Sequence, residues 1–386
     1  MPDVSSPPTA TVPRVSYLAL CFNHARWLDQ CLGSIEAQRW PNAELIILDN
    51  ASSDGSADLI RARAAVMDLP VTLLAESERR GICANANRLL AQASGDYVAL
   101  VSTDDWWFPE KTRRQVEALE RLGRDWAVAY ADAICVDEQG ERHPAPFIAS
   151  HRPFDSLPSG DILTELVRGP FIPAMSTLVR REALVAAGGY DESLVYEDYD
   201  MWLRLAVNGR FHADPDPLCA YRIVASSMIR TVAAQDRPEK ILSDARIMAK
   251  AAAIARLPAK MRRNSLRRVV TLAAKLIGQP GIWTPAVGEL KNSTGLQSLA
   301  LLEAAARAGG LDEAAVLGLL SAAASRGILP PNERDILPKG LVIPEPSRWP
   351  DRPASPVDWD AMVASFLTPL SPRNAGALLP DPGRKR

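Results

Sequence analysis

The chain has 386 residues, long enough for two domains at about 150 residues each. Its 44 Lys and Arg nearly balance 46 Asp and Glu, and the formal charge of -2 excludes the basic surplus of a general nucleic-acid binder. A hydrophobic fraction of 47% beside 23% charged residues is that of a globular chain rather than a disordered one.

Residues 1–13 are rich in Pro, Ser and Thr and read as a disordered lead-in. No basic segment followed by an apolar core opens the chain, so no secretory signal is expected, and no run of about 18 apolar residues reads as a membrane span. The expectation is a cytoplasmic protein, free or in peripheral contact with the inner face of a membrane. Cys21, Cys31, Cys83, Cys135 and Cys219 lack C-x-x-C spacing, and most sit in apolar segments; they read as small buried residues of a reducing compartment. His24, His143, His151 and His212 form no zinc-type spacing with them.

Order is expected from Val15. Val15–Leu20 is short and mostly apolar, as a buried parallel strand is. Leu28, Cys31, Leu32 and Ile35 then fall on one face of a helix. Leu45–Leu48, Val71–Leu74 and Tyr97–Val101 read as further strands, with helices over Ser56–Val66 and Cys83–Ala93 and another from Pro109 to about Leu122. Gly95 and Gly123 suit the ends of the last two helices, and Pro109 suits the first turn of the third. Strands alternating with helices imply a mostly parallel sheet covered on both faces.

The rhythm changes near Asp125. Val128–Tyr130 and Ser176–Val179 are predicted strands, and Tyr199–Asn208 an amphipathic helix stopped by Gly209. Residues 233–328, rich in Ala, Leu and Arg, read as several helices, and the Pro-rich residues 329–386 as an extended tail. Lys260, Arg262, Arg263, Arg267 and Arg268 fall on a predicted helix, which fits a membrane-facing surface or the solvated face of a packed helix.

Ligands of an open α/β sheet bind outside the carboxyl ends of its strands. The first strand is followed by Cys21-Phe22-Asn23-His24, the second by Asp49-Asn50-Ala51-Ser52-Ser53-Asp54-Gly55-Ser56, and the fourth by Ser102-Thr103-Asp104-Asp105. Polar and acidic groups thus gather at one edge. Two readings fit Asp104-Asp105: hard oxygen ligands for Mg2+ or Mn2+ against a diphosphate, or an acidic turn capping the following helix. Two also fit Glu197-Asp198: an N-cap, or a general base acting on an acceptor hydroxyl.

Taken in order, these segments resemble a family-2 glycosyltransferase of GT-A fold. The likeness runs from Val15 through Phe22-Asn23-His24-Ala25-Arg26-Trp27-Leu28, then Asp49 to Ser56, Arg80-Gly81 with Asn87, and Gly95 to Asp105 with Trp107, Pro109 and Lys111. It continues in Gly188-Gly189-Tyr190-Asp191-Glu192, Glu197 to Arg204 and Tyr221-Arg222, ending near Arg230. Each motif is weak alone, and the ordered set is specific. The resemblance implies a Rossmann-like, mostly parallel sheet flanked by helices over residues 14–232, followed by a mainly α-helical C-terminal region. It implies an inverting, metal-dependent hexosyltransferase that takes a UDP- or dTDP-linked donor and a saccharide or glycolipid acceptor, as in bacterial surface polysaccharide synthesis.

By the same resemblance, Phe22, Asn23, Asp49 and Asn50 surround the donor nucleoside and Asn87 belongs to the donor side. Asp104 binds the Mn2+ or Mg2+, with Thr103 and Asp105 beside it, and Asp198 is the base. Trp202 packs beneath the acceptor site. This chain departs from the family at Leu20, at Asn50 where a second acid is common, at Ser102-Thr103 where an earlier Asp is common, and at Ile223-Val224 where many members carry a His. Those departures leave a non-catalytic binding module as the alternative. A nucleotidyltransferase or a Rossmann dehydrogenase is disfavoured, because no glycine-rich loop follows a strand.

Overall fold

The structure is a computed structural model. It describes residues 11–225, 227, 237–262, 264, 265, 268, 269, 272, 283, 284, 289 and 290. Most of the expected lead-in, most of the expected helical region and the whole Pro-rich tail lie outside the described residues, as do Arg263 and Arg267 of the basic stretch. The chain divides into two units that interleave along the sequence. The first comprises Met1–Ile162, Phe171–Tyr190 and Arg204–Val224; the second comprises Leu163–Pro170, Asp191–Leu203 and Ala225–Arg386.

The first unit is built on a seven-stranded sheet. Its strands are β1 (Val15–Cys21), β2 (Ala43–Asp49), β3 (Val71–Ala75), β4 (Tyr97–Ser102), β6 (Trp126–Tyr130), β8 (Leu178–Arg180) and β9 (Arg210–Ala213), in the order β3-β2-β1-β4-β8-β6-β9. β1 pairs in parallel with β2 and β4, and β2 in parallel with β3. The four strands read from apolar runs therefore form one parallel block. The short β8 then pairs antiparallel with both β4 and β6. β1 lies inside the sheet, between β2 and β4, and six of its seven residues are buried. A strand covered on both faces needs such a continuous apolar run.

Helices α1 (Leu28–Glu36), α2 (Ser56–Ala64), α3 (Ile82–Gln92) and α4 (Lys111–Leu122) cross between strands, and the short α5 (Phe147–His151) and α7 (Arg181–Ala186) belong to the same unit. The stripe Leu28, Cys31, Leu32, Ile35 is the buried face of α1, as its spacing requires. Helix α4 ends at Gly123, whose positive φ of 87° a glycine adopts without a side-chain clash. Gly95 has a different reason to be glycine. A Cβ there would lie 2.7 Å from both the backbone N and the Oγ of Ser16, so β1 and the entry to β4 approach too closely for any side chain. All five cysteines are free and buried, as their apolar surroundings suggested.

A second sheet in this unit has three strands, β5 (Trp106–Trp107), β7 (Ala133–Val136) and β10 (Cys219–Arg222), ordered β5-β10-β7. β5 follows Asp105 directly, so its antiparallel pairing with β10 brings the end of β10 to the acidic turn.

The second unit contains α6 (Leu163–Arg168), the segment that enters α8 (Asp198–Asn208), and α9 (Pro238–Ala253). Pro238 opens α9 in the first turn, where a missing N–H costs nothing. Helix α9 binds the segment before and within the start of α8. Ser243 Oγ accepts from the Val195 N–H at 3.2 Å, Tyr196 donates its hydroxyl to Asp244, and Arg246 donates to the Ser193 carbonyl at 2.8 Å. Lys250 Nζ stands 2.7 Å from Asp191 Oδ2 and 2.7 Å from Asp200 Oδ1. Arg268, from the basic stretch, donates to the Val167 carbonyl at 3.3 Å. No helix among the described residues is long and apolar enough to cross a membrane.

Candidate active site

The strand order places the reversal of winding between β1 and β4, since β1 is followed on one side by β2 and on the other by β4. In open α/β sheets the crevice at such a reversal, outside the carboxyl ends of the strands, is where ligands bind. The loops after β1, β2 and β4 meet there. The Asn50 N–H donates to the Cys21 carbonyl and the Thr103 N–H to the Leu20 carbonyl, both at 2.9 Å, so each loop leaves its strand in register with β1.

Side chains lock the first two loops together. Asn23, at φ 56°, accepts the Ser53 N–H at 2.8 Å, and its own N–H donates to Ser52 Oγ at 2.9 Å. Asp54 accepts the Ala25 N–H and the Ser56 N–H, and Ser56 Oγ accepts the His24 N–H. Asn50 exchanges two hydrogen bonds with the backbone of Arg80, at 3.0 and 2.8 Å, which ties the loop after β2 to the one after β3. Phe22 is half-buried, with the Arg79 guanidinium 4.1 Å from its ring centroid, a cation–π contact. Asp49 is buried. One carboxylate oxygen accepts the Ser52 N–H at 3.1 Å, and the other has no partner.

The turn after β4 is the most buried part of the site. Thr103 and Asp105 are fully enclosed and Asp104 retains 9% exposure. Asp105 Oδ1 accepts the Arg222 N–H at 2.8 Å, while burial, and then the nearby Asp104 charge, hold its carboxyl well above the usual range. Asp104 Oδ1 is buried without a hydrogen-bond partner. An orphaned, buried carboxylate oxygen calls for a ligand, and a hard oxygen suits Mg2+ or Mn2+. Among the described residues no group of three His, Cys, Asp or Glu could hold a metal. A cation at Asp104 would therefore draw the rest of its shell from phosphate oxygens and water, as Mg2+ commonly does.

The structure thus brings Phe22, Asn23, Asp49, Asn50, Thr103, Asp104 and Asp105 to one edge of the sheet. Asn87 is placed otherwise. Its amide exchanges two hydrogen bonds with the Tyr190 backbone, at 2.8 and 2.7 Å, and so pins the Gly188-Gly189-Tyr190 turn to α3. Asp198 opens α8 in the second unit. It is half-buried, and its Oδ1 accepts its neighbour's N–H at 2.7 Å, a cap-like contact that leaves Oδ2 uncommitted to it. Burial raises the carboxyls of both Glu197 and Asp198, and the Asp198 charge raises Glu197 further. Trp202 is buried in α8.

Sequence reasoning passed over two residues. His24, which stands in the loop after the first strand and in the family-like run without a role of its own, places its Nδ1 3.0 Å from Thr103 Oγ1. Arg222 enters the sequence reading only through the Tyr221-Arg222 pair of the resemblance, yet its guanidinium reaches the carbonyls of Asp104, Asp137 and Glu138 and the Gln30 side chain.

Comparison with known proteins agrees with this architecture. The model of the glycosyl transferase family 2 matches residues 17–185. EpsE of Bacillus subtilis (strain 168), whose name assigns it to the glycosyltransferases, is 30% identical over 200 residues, covering 51% of this chain and 68% of that protein. TuaG of the same organism, named for teichuronic acid biosynthesis, is 30% identical over 217 residues, 56% of this chain and 81% of that protein. The succinoglycan biosynthesis protein ExoO of Rhizobium meliloti (strain 1021) is 26% identical over 233 residues, 59% of this chain and 66% of that one. The chain belongs to glycosyltransferase family 2. Among solved structures, S. aureus TarS 1–349 in complex with UDP-GlcNAc superposes with a TM-score of 0.57 at 17% identity, covering 84% of this chain and 90% of that one. At that identity the likeness is one of fold, and the fold is GT-A.

Proposed function

We propose that this protein transfers a sugar from a nucleoside-diphosphate donor, UDP- or dTDP-linked, to a hydroxyl of a saccharide or glycolipid acceptor, with inversion at the sugar carbon. The observation that carries the reading is the orphaned, buried Oδ1 of Asp104 at the winding reversal of the sheet. A divalent cation held there would offset the negative charge that builds on the diphosphate as it leaves. Asp49 offers its free carboxylate oxygen to the N–H or hydroxyl groups of a nucleoside, and the half-buried Phe22 ring offers a face for its base. The Ser52 and Ser53 contacts hold Asn23 and the loop around it in one conformation, so that little ordering remains to be done on binding.

Inversion needs one displacement, hence a base for the incoming hydroxyl. Asp198 takes that role. A carboxyl raised toward neutrality is a better match to a proton acceptor at working pH than an ordinary one. Names of the relatives support surface-polysaccharide chemistry: ExoO is a succinoglycan biosynthesis protein and TuaG is named for teichuronic acid. The acceptor is accordingly a growing glycan or its lipid-linked precursor, met on the cytoplasmic face of a membrane.

The test is a thermal-shift panel of UDP, dTDP and GDP, each with and without Mn2+. A ligand that binds only the folded state stabilises it by about 2.7 kcal/mol at a hundredfold excess over Kd. A rise in Tm is expected for a uridine or thymidine diphosphate, and only when Mn2+ is present. No shift with any nucleotide would favour a non-catalytic module.

A further inference from the structure

His24 is unusually well fixed for a loop residue. Its N–H donates to Ser56 Oγ at 3.1 Å, and its carbonyl accepts from Trp27 and Leu28 at 2.9 and 3.0 Å, which starts α1. Its ring packs edge-on against Trp27 with centroids 5.9 Å apart. So held, the imidazole presents Nδ1 to the turn after β4, 3.0 Å from Thr103 Oγ1 and 3.7 Å from Asp104 Oδ1. The carboxylate oxygen it faces is the buried one that no hydrogen bond satisfies.

We propose that His24 is a second protein ligand of the cation held by Asp104, making this a mixed nitrogen and oxygen site. The inference rests on the reading of Asp104 as a metal site. An imidazole nitrogen and a carboxylate oxygen 3.7 Å apart can converge on one ion with bonds of about 2.0–2.2 Å and only a small movement of either side chain. With the ring proton on Nε2, Nδ1 has a lone pair to give. Thr103 Oγ1 stands against that nitrogen in the free protein. Turning the Thr103 hydroxyl away frees Nδ1 for the ion.

The ligand set has a consequence for metal choice. Carboxylate and water oxygens suit Mg2+, whereas imidazole favours transition ions, in the order Mn2+ below Co2+ below Ni2+. With His24 as a ligand the protein prefers Mn2+ or Co2+ to Mg2+, and without it that preference shrinks.

Pulsed electron paramagnetic resonance of Mn2+ bound to the full chain, with and without UDP and in a buffer free of nitrogen, tests this directly. The expected spectrum shows coupling to a directly bound nitrogen, which changes its isotope signature when the protein carries 15N-histidine. In His24→Ala that coupling disappears, Mn2+ affinity falls about tenfold or more, and the ratio of Co2+ to Mg2+ affinity drops. Asp104→Asn loses the bound ion altogether. Should His24→Ala fail to fold, the labelled wild-type spectrum and His24→Gln decide the question. Bound Mn2+ that Asp104→Asn abolishes but that shows no histidine nitrogen would overturn the role of His24 and leave the metal site standing. Failure of Mn2+ to bind the wild-type protein at all would overturn both.

Discussion

Arg222 holds the backbone of Asp104 from behind: its Nε donates to the Asp104 carbonyl at 3.0 Å, while its own N–H donates to Asp105 Oδ1 at 2.8 Å. The rest of the guanidinium is spent on the carbonyls of Asp137 and Glu138, each at 3.1 Å, and on Gln30 Oε1 at 2.6 Å. It also lies 4.9 Å from the Trp106 ring centroid. A planar fork serving this many acceptors cannot be replaced by a point charge. Arg222→Lys should therefore lower stability by about 1.5–3 kcal/mol, the scale of a hydrogen bond to a charged group. It should also weaken nucleotide binding more than thermal stability alone explains. Chemical denaturation beside calorimetric UDP binding would check this; a variant with unchanged binding would mean that Asp104 needs no such support.

Lys111 is a buried ammonium that donates to Gln115 Oε1 and to the Thr177 carbonyl, both at 2.9 Å. Burial pushes it down to about 7. Between that value and the unfolded value of about 10.4, the unfolded chain binds the extra proton. Stability should then rise with pH from 7 toward 10 and fall as pH drops back through that window. Lys111→Met should flatten this slope. Denaturation midpoints of both proteins from pH 6.5 to 9.5 give the comparison, and parallel curves would contradict it.

How much of this was legible in the sequence differs by element. Buried strands declare themselves through apolar runs, and β1, β2, β3 and β4 were readable because four consecutive βα turns repeat that local signal. The polar loops after β1, β2 and β4 were readable as an edge for the same reason. What local pattern does not carry is long-range pairing. β5 is two residues long, and β8 was expected to begin at Ser176, where the chain instead makes a 3-10 turn over Ala174–Ser176 before the strand starts at Leu178. Asn87 shows the limit most clearly. The family resemblance alone puts it on the donor side, and only the fold brings in the Tyr190 backbone that its amide binds. The approach of His24 to Asp104 joins residues 80 positions apart, and no spacing rule relates them.

Lys250 bridges Asp191 and Asp200, two carboxylates of the segment that carries Glu197 and Asp198. Coulomb attraction to Lys250, once burial is offset, holds Asp191 below the ordinary range. Lys250→Met would leave two buried acids facing each other, at a cost of about 3–5 kcal/mol. Adding Asp191→Asn should recover part of that loss. A double-mutant cycle by urea denaturation measures the coupling; additive losses would show that the bridge contributes nothing of its own.

Asp198→Asn keeps the shape and most of the hydrogen bonding of the side chain but removes its basicity. Turnover should fall by about 10²–10⁴-fold with nucleotide binding nearly unchanged. Because burial raises this carboxyl, the acid limb of kcat/KM should lie above the ordinary carboxylate range, with activity rising as pH climbs through it. An active Asp198→Asn together with an inactive Glu197→Gln would move the base by one residue.

The central claim is that Asp104 binds the cation against which the donor diphosphate sits. Calorimetric titration of UDP and of dTDP, with and without Mn2+, into the wild-type protein and Asp104→Asn tests it most directly. The account predicts nucleotide binding that depends on Mn2+ in the wild type and is lost in Asp104→Asn, with both proteins unfolding at similar temperatures. Equal affinity in the two proteins, with the same response to Mn2+, would contradict it.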